Sequence, residues 1–278
     1  MPHDPDPSSS RARVAAANAV NNAKSTGARR RRWAVARDAA WALLDPVVAE
    51  GARVAVVGAG NADDLPLGRL ARRAERVDLV DLDARATDGA RRRVGVRARR
   101  RVRAIEQDVT GGAADAVLAD GPRATAAVPG TPLGDGGPYD VVVLDLVLTQ
   151  LLYPALKGTM NGRAIDALLL RHGQRLTDGV VARAWAATRP GGAVVVLHDL
   201  LGWWDGHPQP FALERLLALP ADEAPALART GSLPYGCDPW VATRRAGAHV
   251  ETTRLWRWPF SAGADYAVFG LVTRRRRP

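Results

Sequence analysis

Several aspartates in this chain stand at or just beyond the ends of apolar runs. Asp81 and Asp83 follow Val77–Val80, Asp108 follows Val102–Ile105, and Asp145 closes Tyr139–Leu144. His198 and Asp199 follow Ala193–Leu197. Ahead of them all, Val54–Val57 runs into Gly58-Ala59-Gly60. A glycine turn lets the backbone approach a ligand that any side chain would hold off. A carboxylate at the end of the next apolar run is placed to accept hydrogen bonds from a ribose diol. These residue types at this spacing suit the binding of an adenosine-containing cofactor. His198 and Asp199 add two groups able to take a proton from a reacting atom.

The elements that must position these groups can be read from hydrophobic period. Val54–Val57, Val77–Val80, Val102–Ile105, Tyr139–Leu144 and Ala193–Leu197 are short apolar runs, the pattern of strands buried on both faces in a parallel sheet. Pro190-Gly191-Gly192 is a turn before the last of them. Arg11 to about Asn22, Arg30–Ala49, Leu168–Ala187 and Leu213–Ala218 read as helices, with Ser25-Thr26-Gly27 breaking the first from the second and Pro46 kinking the second. A short helix within a long loop is expected over 111–138. Val250–Trp256 and Tyr266–Val272 read as late strands joined through Trp258–Gly263, a connection short enough for an antiparallel hairpin. Residues 1–10, Pro, Asp and Ser without a period, are expected to be disordered. The expected division is an Arg-rich arm, flexible or helical, over 1–32 and a single domain over 33–278, with 201–248 as a substrate-side insertion.

The 278 residues are 47% hydrophobic, enough for one large α/β core. No run approaches the roughly 18 apolar residues of a membrane span, and the N-terminus has no apolar signal region, so a cytoplasmic protein is expected. Cys237 is the only cysteine, which excludes an internal disulfide and a cysteine-built zinc site. His172 and His207 form no recognisable metal set with their neighbours, and no metal is expected. The formal charge is +10, and all the basic residues but Lys24 and Lys157 are arginine. Arg, Ala, Gly and Pro share GC-rich codons, so base composition accounts for much of this bias. The denser runs Arg29–Arg32, Arg91–Arg103 and Arg274–Arg277 leave two readings open, solvated surface or an anionic partner such as RNA.

Strands alternating with helices and closed by a strand pair, with Gly58-Ala59-Gly60, Asp81, Asp108, Asp145-Leu146 and Pro190-Gly191-Gly192 in this order, resemble the class I S-adenosylmethionine-dependent methyltransferases over about residues 33–273. The resemblance implies a doubly wound, mostly parallel seven-stranded sheet with a C-terminal antiparallel hairpin and an N-terminal helical extension. It implies that Gly58 and Gly60 form the cofactor turn, that Asp81 holds the ribose with Asp83 behind it, and that Asp108 stands beside the adenine amino group. Asp145 would face the methionine part and the substrate. The acid the family often carries two residues before the first turn glycine is here Val56. Asp63 or Asp64 is left either to replace that acid at the cofactor ammonium or to cap the following helix. A nicotinamide-type fingerprint would want glycine where Asp63 stands, and its charge would repel a pyrophosphate. The sulfonium cofactor has no phosphate.

The run after the fourth strand, Asp145-Leu146-Val147-Leu148-Thr149-Gln150, lacks the Pro-Pro-aromatic signature of base amino methylation, and no Pro-Cys nucleophile follows it. The implied reaction is methyl transfer to an oxygen or nitrogen of a small molecule or peptide, with His198 or Asp199 as base and Tyr153, Trp203 and Trp204 walling the acceptor. RNA methylation, other adenosyl chemistry such as aminopropyl transfer, and a non-catalytic adenosyl-binding subunit remain open at this point. A homodimer is compatible with the sequence and not required by it.

Overall fold

The computed structural model describes residues 10–123, 132–157, 161–206, 208–231 and 237–275. The expected disorder of the extreme N-terminus, residues 124–131 of the 111–138 segment, His207 and the last arginines of the C-terminal run fall outside them, while the short helix expected within 111–138 is present at Ala113–Asp120.

Seven strands form one sheet in the order β3-β2-β1-β4-β5-β7-β6. They are β1 (Arg53–Val57), β2 (Arg76–Asp81), β3 (Val102–Glu106), β4 (Tyr139–Asp145), β5 (Thr188–Trp204), β6 (Ala248–Ser261) and β7 (Ala264–Arg275). Neighbours among β1–β5 run parallel, and β7 is antiparallel to both β5 and β6. The helices before β1 are α1 (Ser10–Asn22), α2 (Gly27–Arg32) and α3 (Ala34–Leu44). Those between strands are α4 (Leu67–Arg73), α5 (Ala84–Arg93), α6 (Val96–Arg99), α7 (Ala113–Asp120), α8 (Tyr153–Leu156) and α9 (Gly162–Ala187). After β5 come α10 (Leu213–Leu217), α11 (Ala224–Ala228) and α12 (Pro239–Arg245). This is the mostly parallel, doubly wound sheet with a closing antiparallel hairpin that the sequence implied.

Strand alternation divides the core in two. Ala55, Val57, Val142, Leu144, Val194 and Val196 face Leu176 and Val180 of α9. Val54, Val56, Val141, Val143, Val195 and Leu197 face Ala40, Leu43 and Leu44 of α3. Each fully buried Val or Leu contributes on the order of 1.5–3 kcal/mol relative to exposure, which explains why these runs are apolar at every position. Val56 lies fully buried on the α3 face, so an acid there would be placed in the core.

Several boundaries differ from the sequence expectation. Pro190-Gly191-Gly192 is not a turn ahead of β5 but lies within it, where the pairing with β4 shifts register, and α9 begins at Gly162, ahead of the expected Leu168. β5 does not end at Leu197 but continues to Trp204, because β7 supplies partners as far as Trp204↔Ala264, with a bulge between Asp199 and Leu201. The hairpin is tighter than expected, so Trp258 is a strand residue opposite Tyr266 and not part of the connection. The expected helix over 30–49 is broken at Trp33 and ends at Leu44, before Pro46.

Candidate functional site

The strand order reverses between β1 and β4, and an open α/β sheet of this kind leaves a crevice at such a point beyond the carboxyl ends of the strands. A crevice there is lined by Asn18, Gly58, Asp81, Asp108, Thr110 and Gln150. It gathers Gly58, Asp81 and Asp108, which are far apart in the chain. Gly58 has φ +77°, and a Cβ built on it would stand 2.4 Å from the Val147 Cβ.

Asp81 Oδ2 accepts from the Gly60 N–H at 2.9 Å, and its Oδ1 accepts from the Asp83 N–H at 2.8 Å. Burial raises its carboxyl above the ordinary value. Asp83 caps α5 through the Ala86 N–H at 3.0 Å and accepts from Asn22 Nδ2 at 2.9 Å. The end of α1 is thereby fastened to the rim, and Asn61 Nδ2 donates to the Asn22 carbonyl at 2.7 Å. Asp108 folds its own turn, accepting from the Thr110 N–H at 2.7 Å and the Gly112 N–H at 2.6 Å.

The adjacent acids Asp63 and Asp64 take different environments. Asp63 is buried against Arg93 at 3.3 Å and Arg29 at 3.7 Å. Asp64 lines a second, smaller cavity with Asp145. Burial pushes the Asp64 carboxyl up to about 6, with Arg29 and Arg37 pulling the other way. Asp145 is 3% exposed, and its Oδ1 has no hydrogen-bond partner among the described residues. Burial, and then the charges of Asp64, Asp81 and Asp199, hold its carboxyl well above the usual range. The next residue, Leu146, has φ +51°, a backbone state rare outside glycine, of the kind that clusters at functional sites.

His198 and Asp199 are neighbours in a strand and therefore point to opposite faces. Asp145 pairs with Leu197 across β4–β5, and Asp199 pairs with Val268 across β5–β7. Leu197 and Val268 both line the cavity that holds Asp145, so Asp199 belongs to that face. Thr149 Oγ1 donates to Asp199 Oδ1 at 2.8 Å, and burial pushes the Asp199 carboxyl up to about 7. His198 lies fully buried on the other face, opposite Phe269 and near Cys237 and Asp238. Burial lowers its pKa to about 4. The structure thus brings Asp199 to the carboxylates and leaves His198 in the α9-side core.

Trp203 likewise turns to the α9-side core, donating to the Phe211 carbonyl at 2.9 Å. Trp204 sits with its ring centroid 5.8 Å from that of Tyr266, and Tyr153 and Asp199 both act electrostatically on the Tyr266 hydroxyl, which burial raises to about 12. Sequence reasoning missed Trp33, Trp256, Trp258 and Tyr266. The available signal was Trp256-Arg257-Trp258, two indoles at strand spacing.

No family model and no curated protein matches the sequence. Solved structures do match the fold. A SAM-dependent methyltransferase from Leishmania major superposes with a TM-score of 0.51 at 12% identity, over 97% of this chain and 85% of that one. The fold is that of the class I methyltransferases. A SAM-dependent methyltransferase from Geobacter sulfurreducens in complex with S-adenosyl-L-homocysteine matches with a TM-score of 0.46 at 14% identity, over 87% of this chain and 91% of that one. Within the methyltransferase fold seen here, two of the arginine runs converge. Arg30, Arg93, Arg97 and Arg101 line a cavity of about 1180 Å³ behind the glycine turn. Several guanidiniums there serve the protein's own backbone: Arg37 donates to the Asp63 carbonyl, Arg93 to that of Asn61, and Arg101 to that of Arg72. Among the described residues, no helix is long and apolar enough to cross a membrane.

Proposed function

We propose that this chain transfers a methyl group from S-adenosylmethionine to an oxygen or nitrogen of a small molecule or peptide. The observation that carries the reading is the crevice at the switch point, where Gly58, Asp81 and Asp108 meet beside the buried Asp145 oxygen that has no partner among the described residues. This donor set fits the cofactor. Carboxylates and a glycine turn suit a ribose diol and a cationic tail, and they oppose a pyrophosphate. When bound, adenosylmethionine supplies an electrophilic methyl carbon on a sulfonium.

The residues divide the work. Gly58 and Gly60 give the backbone room, Asp81 accepts from the ribose hydroxyls, and Asp108 stands at the adenine end. Asp83 fixes Asp81 and the end of α1. Asp64 and Asp145 receive the ammonium side, while Asp63, tied to Arg29 and Arg93, braces the turn. Asp199 is the proton acceptor. Tyr153 and Trp204 border the acceptor site, and the segment between β5 and β6 is the substrate-side insertion.

Asp81 should be indispensable for cofactor binding. Charge-assisted hydrogen bonds to a diol are worth on the order of 1.5–3 kcal/mol. Asp81→Ala is expected to weaken adenosylmethionine affinity roughly tenfold or more by calorimetric titration. Unchanged affinity in a folded variant removes Asp81 from the site.

A second reading, RNA as the substrate, is favoured by the convergence of the arginine runs on one cavity. It calls for RNA affinity that falls steeply with salt, since each phosphate contact releases counterions. Anisotropy titrations of a labelled RNA at two salt concentrations separate the readings. Weak, salt-insensitive binding is expected here, because Arg37, Arg93 and Arg101 already serve carbonyls.

A further inference from the structure

Four consecutive residues after β3, Gln107, Asp108, Val109 and Thr110, form one stretch of the crevice lining. A guanidinium that is not part of that lining holds the stretch in place. Arg183 of α9 is 4% exposed. It donates to the Val109 carbonyl and, at 3.3 Å, to the Pro132 carbonyl. The Pro132 carbonyl also accepts from Gln107 Nε2 at 2.9 Å, and Gln107 Oε1 accepts from the Gly134 N–H at 2.8 Å. Arg183 and Gln107 therefore meet on one carbonyl, with Asp108 between the two residues they fix.

The hydrogen bonds run in series through a single peptide unit. The Val109 carbonyl that accepts from Arg183 belongs to the Val109–Thr110 peptide, and the N–H of that same unit donates to Asp108 Oδ1 at 2.7 Å. A trans peptide is planar, so fixing its oxygen fixes the direction of its N–H. Arg183 thereby aims the Asp108 carboxylate through one rigid plate. Thr110 Oγ1 donates to Asp108 Oδ1 at 2.8 Å and the Gly112 N–H donates to Oδ2 at 2.6 Å, while Thr110 Oγ1 accepts from the Ala114 N–H at 3.2 Å. Each of these donors points toward the carboxylate, and bonds linked in one sense polarise one another. The charge of Arg183 also acts on Asp108 directly. A neutral side-chain amide has two donors and could serve two carbonyls. A buried guanidinium carries a desolvation cost that such an amide does not, and what it adds is rigid geometry and a charge directed at Asp108.

We propose that Arg183 is a positioning residue for base recognition: through the Val109–Thr110 peptide it holds Asp108 ready to accept from an exocyclic amino group, and so makes the crevice selective for adenine over a 6-oxo purine. This rests on the adenosylmethionine reading and names a determinant of its cofactor selectivity. Hypoxanthine presents an acceptor oxygen where adenine presents an amino donor. Two acceptors facing each other leave both without a hydrogen bond in a buried contact. A site whose polar group is fixed rejects such an analogue strongly. One whose carboxylate can turn aside rejects it weakly, and Arg183 sets how far Asp108 can turn.

The test uses the full chain and a matched pair of ligands, S-adenosylhomocysteine and its deaminated counterpart S-inosylhomocysteine, titrated calorimetrically. The wild-type chain should favour the adenosyl ligand by roughly 10²-fold or more. Arg183→Gln removes the charge and the fork and should cut that preference to about tenfold or less, chiefly by weakening the adenosyl ligand. Arg183→Lys keeps the charge and should give a ratio between the two, with folding of both variants checked by circular dichroism. A change that merely loosens the fold weakens both ligands alike and leaves the ratio standing, and a wild-type ratio in Arg183→Gln would overturn the proposal. Where Arg183→Gln does not fold, a wild-type ratio in Arg183→Lys would overturn it. Amide exchange adds a readout that needs no ligand. The Thr110 and Gly112 N–H groups, both bonded to Asp108, should exchange roughly tenfold faster or more in Arg183→Gln, while those of β4 keep their rates. Unchanged exchange at Thr110 and Gly112 would also overturn the proposal. Absence of binding by the wild-type chain would instead strike the adenosylmethionine reading, and the exchange rates would still decide whether Arg183 holds Asp108.

Discussion

Gly58→Ala is expected to abolish measurable adenosylmethionine binding and to lower the melting temperature by roughly 5–10 °C. Two penalties act together at this position. The backbone holds φ at +77°, which costs a non-glycine residue about 1–3 kcal/mol. The new Cβ would also stand 2.4 Å from the Val147 Cβ, 2.8 Å from its Cγ2 and 3.0 Å from the Asp145 carbonyl oxygen. The last of these is backbone at the end of a central strand and has little freedom to withdraw. The turn must therefore move, and it moves away from the crevice that Asp81 and Asp108 share. Gly206→Ala separates the two effects. Gly206 has the same φ of +77°, but a Cβ there meets nothing within 4 Å, so only the backbone penalty of about 1 kcal/mol is expected. Differential scanning fluorimetry on both variants, with calorimetric titration of the cofactor, checks the prediction. Equal losses of stability would mean that Val147 yields easily and that the close approach carries no cost.

What the sequence made legible about this site follows from the range of the interactions involved. β1, β2 and β4 are largely apolar because both faces are covered, and that pattern is local; β3, at the sheet edge, is mostly exposed and shows it only in part. Their acids come with them, so Asp81, Asp108 and Asp145 could be placed by counting along the chain. The end of β5 could not. Leu201, Gly202, Trp203 and Trp204 prolong the strand only because β7 arrives from sixty or more residues away to pair with them. With the boundary set too early, His198 and Asp199 both looked like edge residues. Within a paired strand they must diverge, one to each face, and only Asp199 reaches the carboxylates. Asp63 and Asp64 posed the same difficulty in miniature. Adjacent acids in one turn differ by which partner the fold brings near, arginines from α2 and α5 for Asp63 and the β4–β5 edge for Asp64. The aromatic wall lay furthest from view. Trp33 meets Trp258 and Phe260 across most of the chain, and nothing local distinguishes such tryptophans from ordinary core.

Asp199→Asn is expected to lower turnover by roughly 10²–10⁴-fold and, at alkaline pH, to stabilise the ligand-free protein. The first effect follows from the loss of the group that takes the acceptor's proton. The amide keeps the shape and can still accept the Thr149 hydroxyl at the position of Oδ1, so the loss is chemical and not architectural. The second effect follows from linkage. Burial pushes the Asp199 carboxyl up to about 7, whereas an unfolded chain ionises it near 3.9. Between those values the native state holds a proton that the unfolded state has released, so stability falls as pH rises from about 4 to about 7. Above 7 the whole penalty is present, on the order of 2–4 kcal/mol before the surroundings relax. Asp64 and Asp145 face the neighbouring cavity, Tyr266 and the Cys237 thiol lie within electrostatic reach of Asp199, and the charge of Asp64 adds to the cost. The neutral amide removes Asp199's share, which should raise the melting temperature at pH 8 by roughly 5 °C and leave it unchanged at pH 4. Wild-type kcat/KM should fall as pH is lowered through about 7, because the free enzyme then carries the proton on its acceptor. The variant should lose that dependence. Melting curves from pH 4 to 8 and an initial-rate profile of methyl transfer provide both readouts. An asparagine variant with wild-type turnover would show that the acceptor's proton leaves by another route. One that is less stable at pH 8 would show that the carboxylate is compensated in the native state and does not strain it.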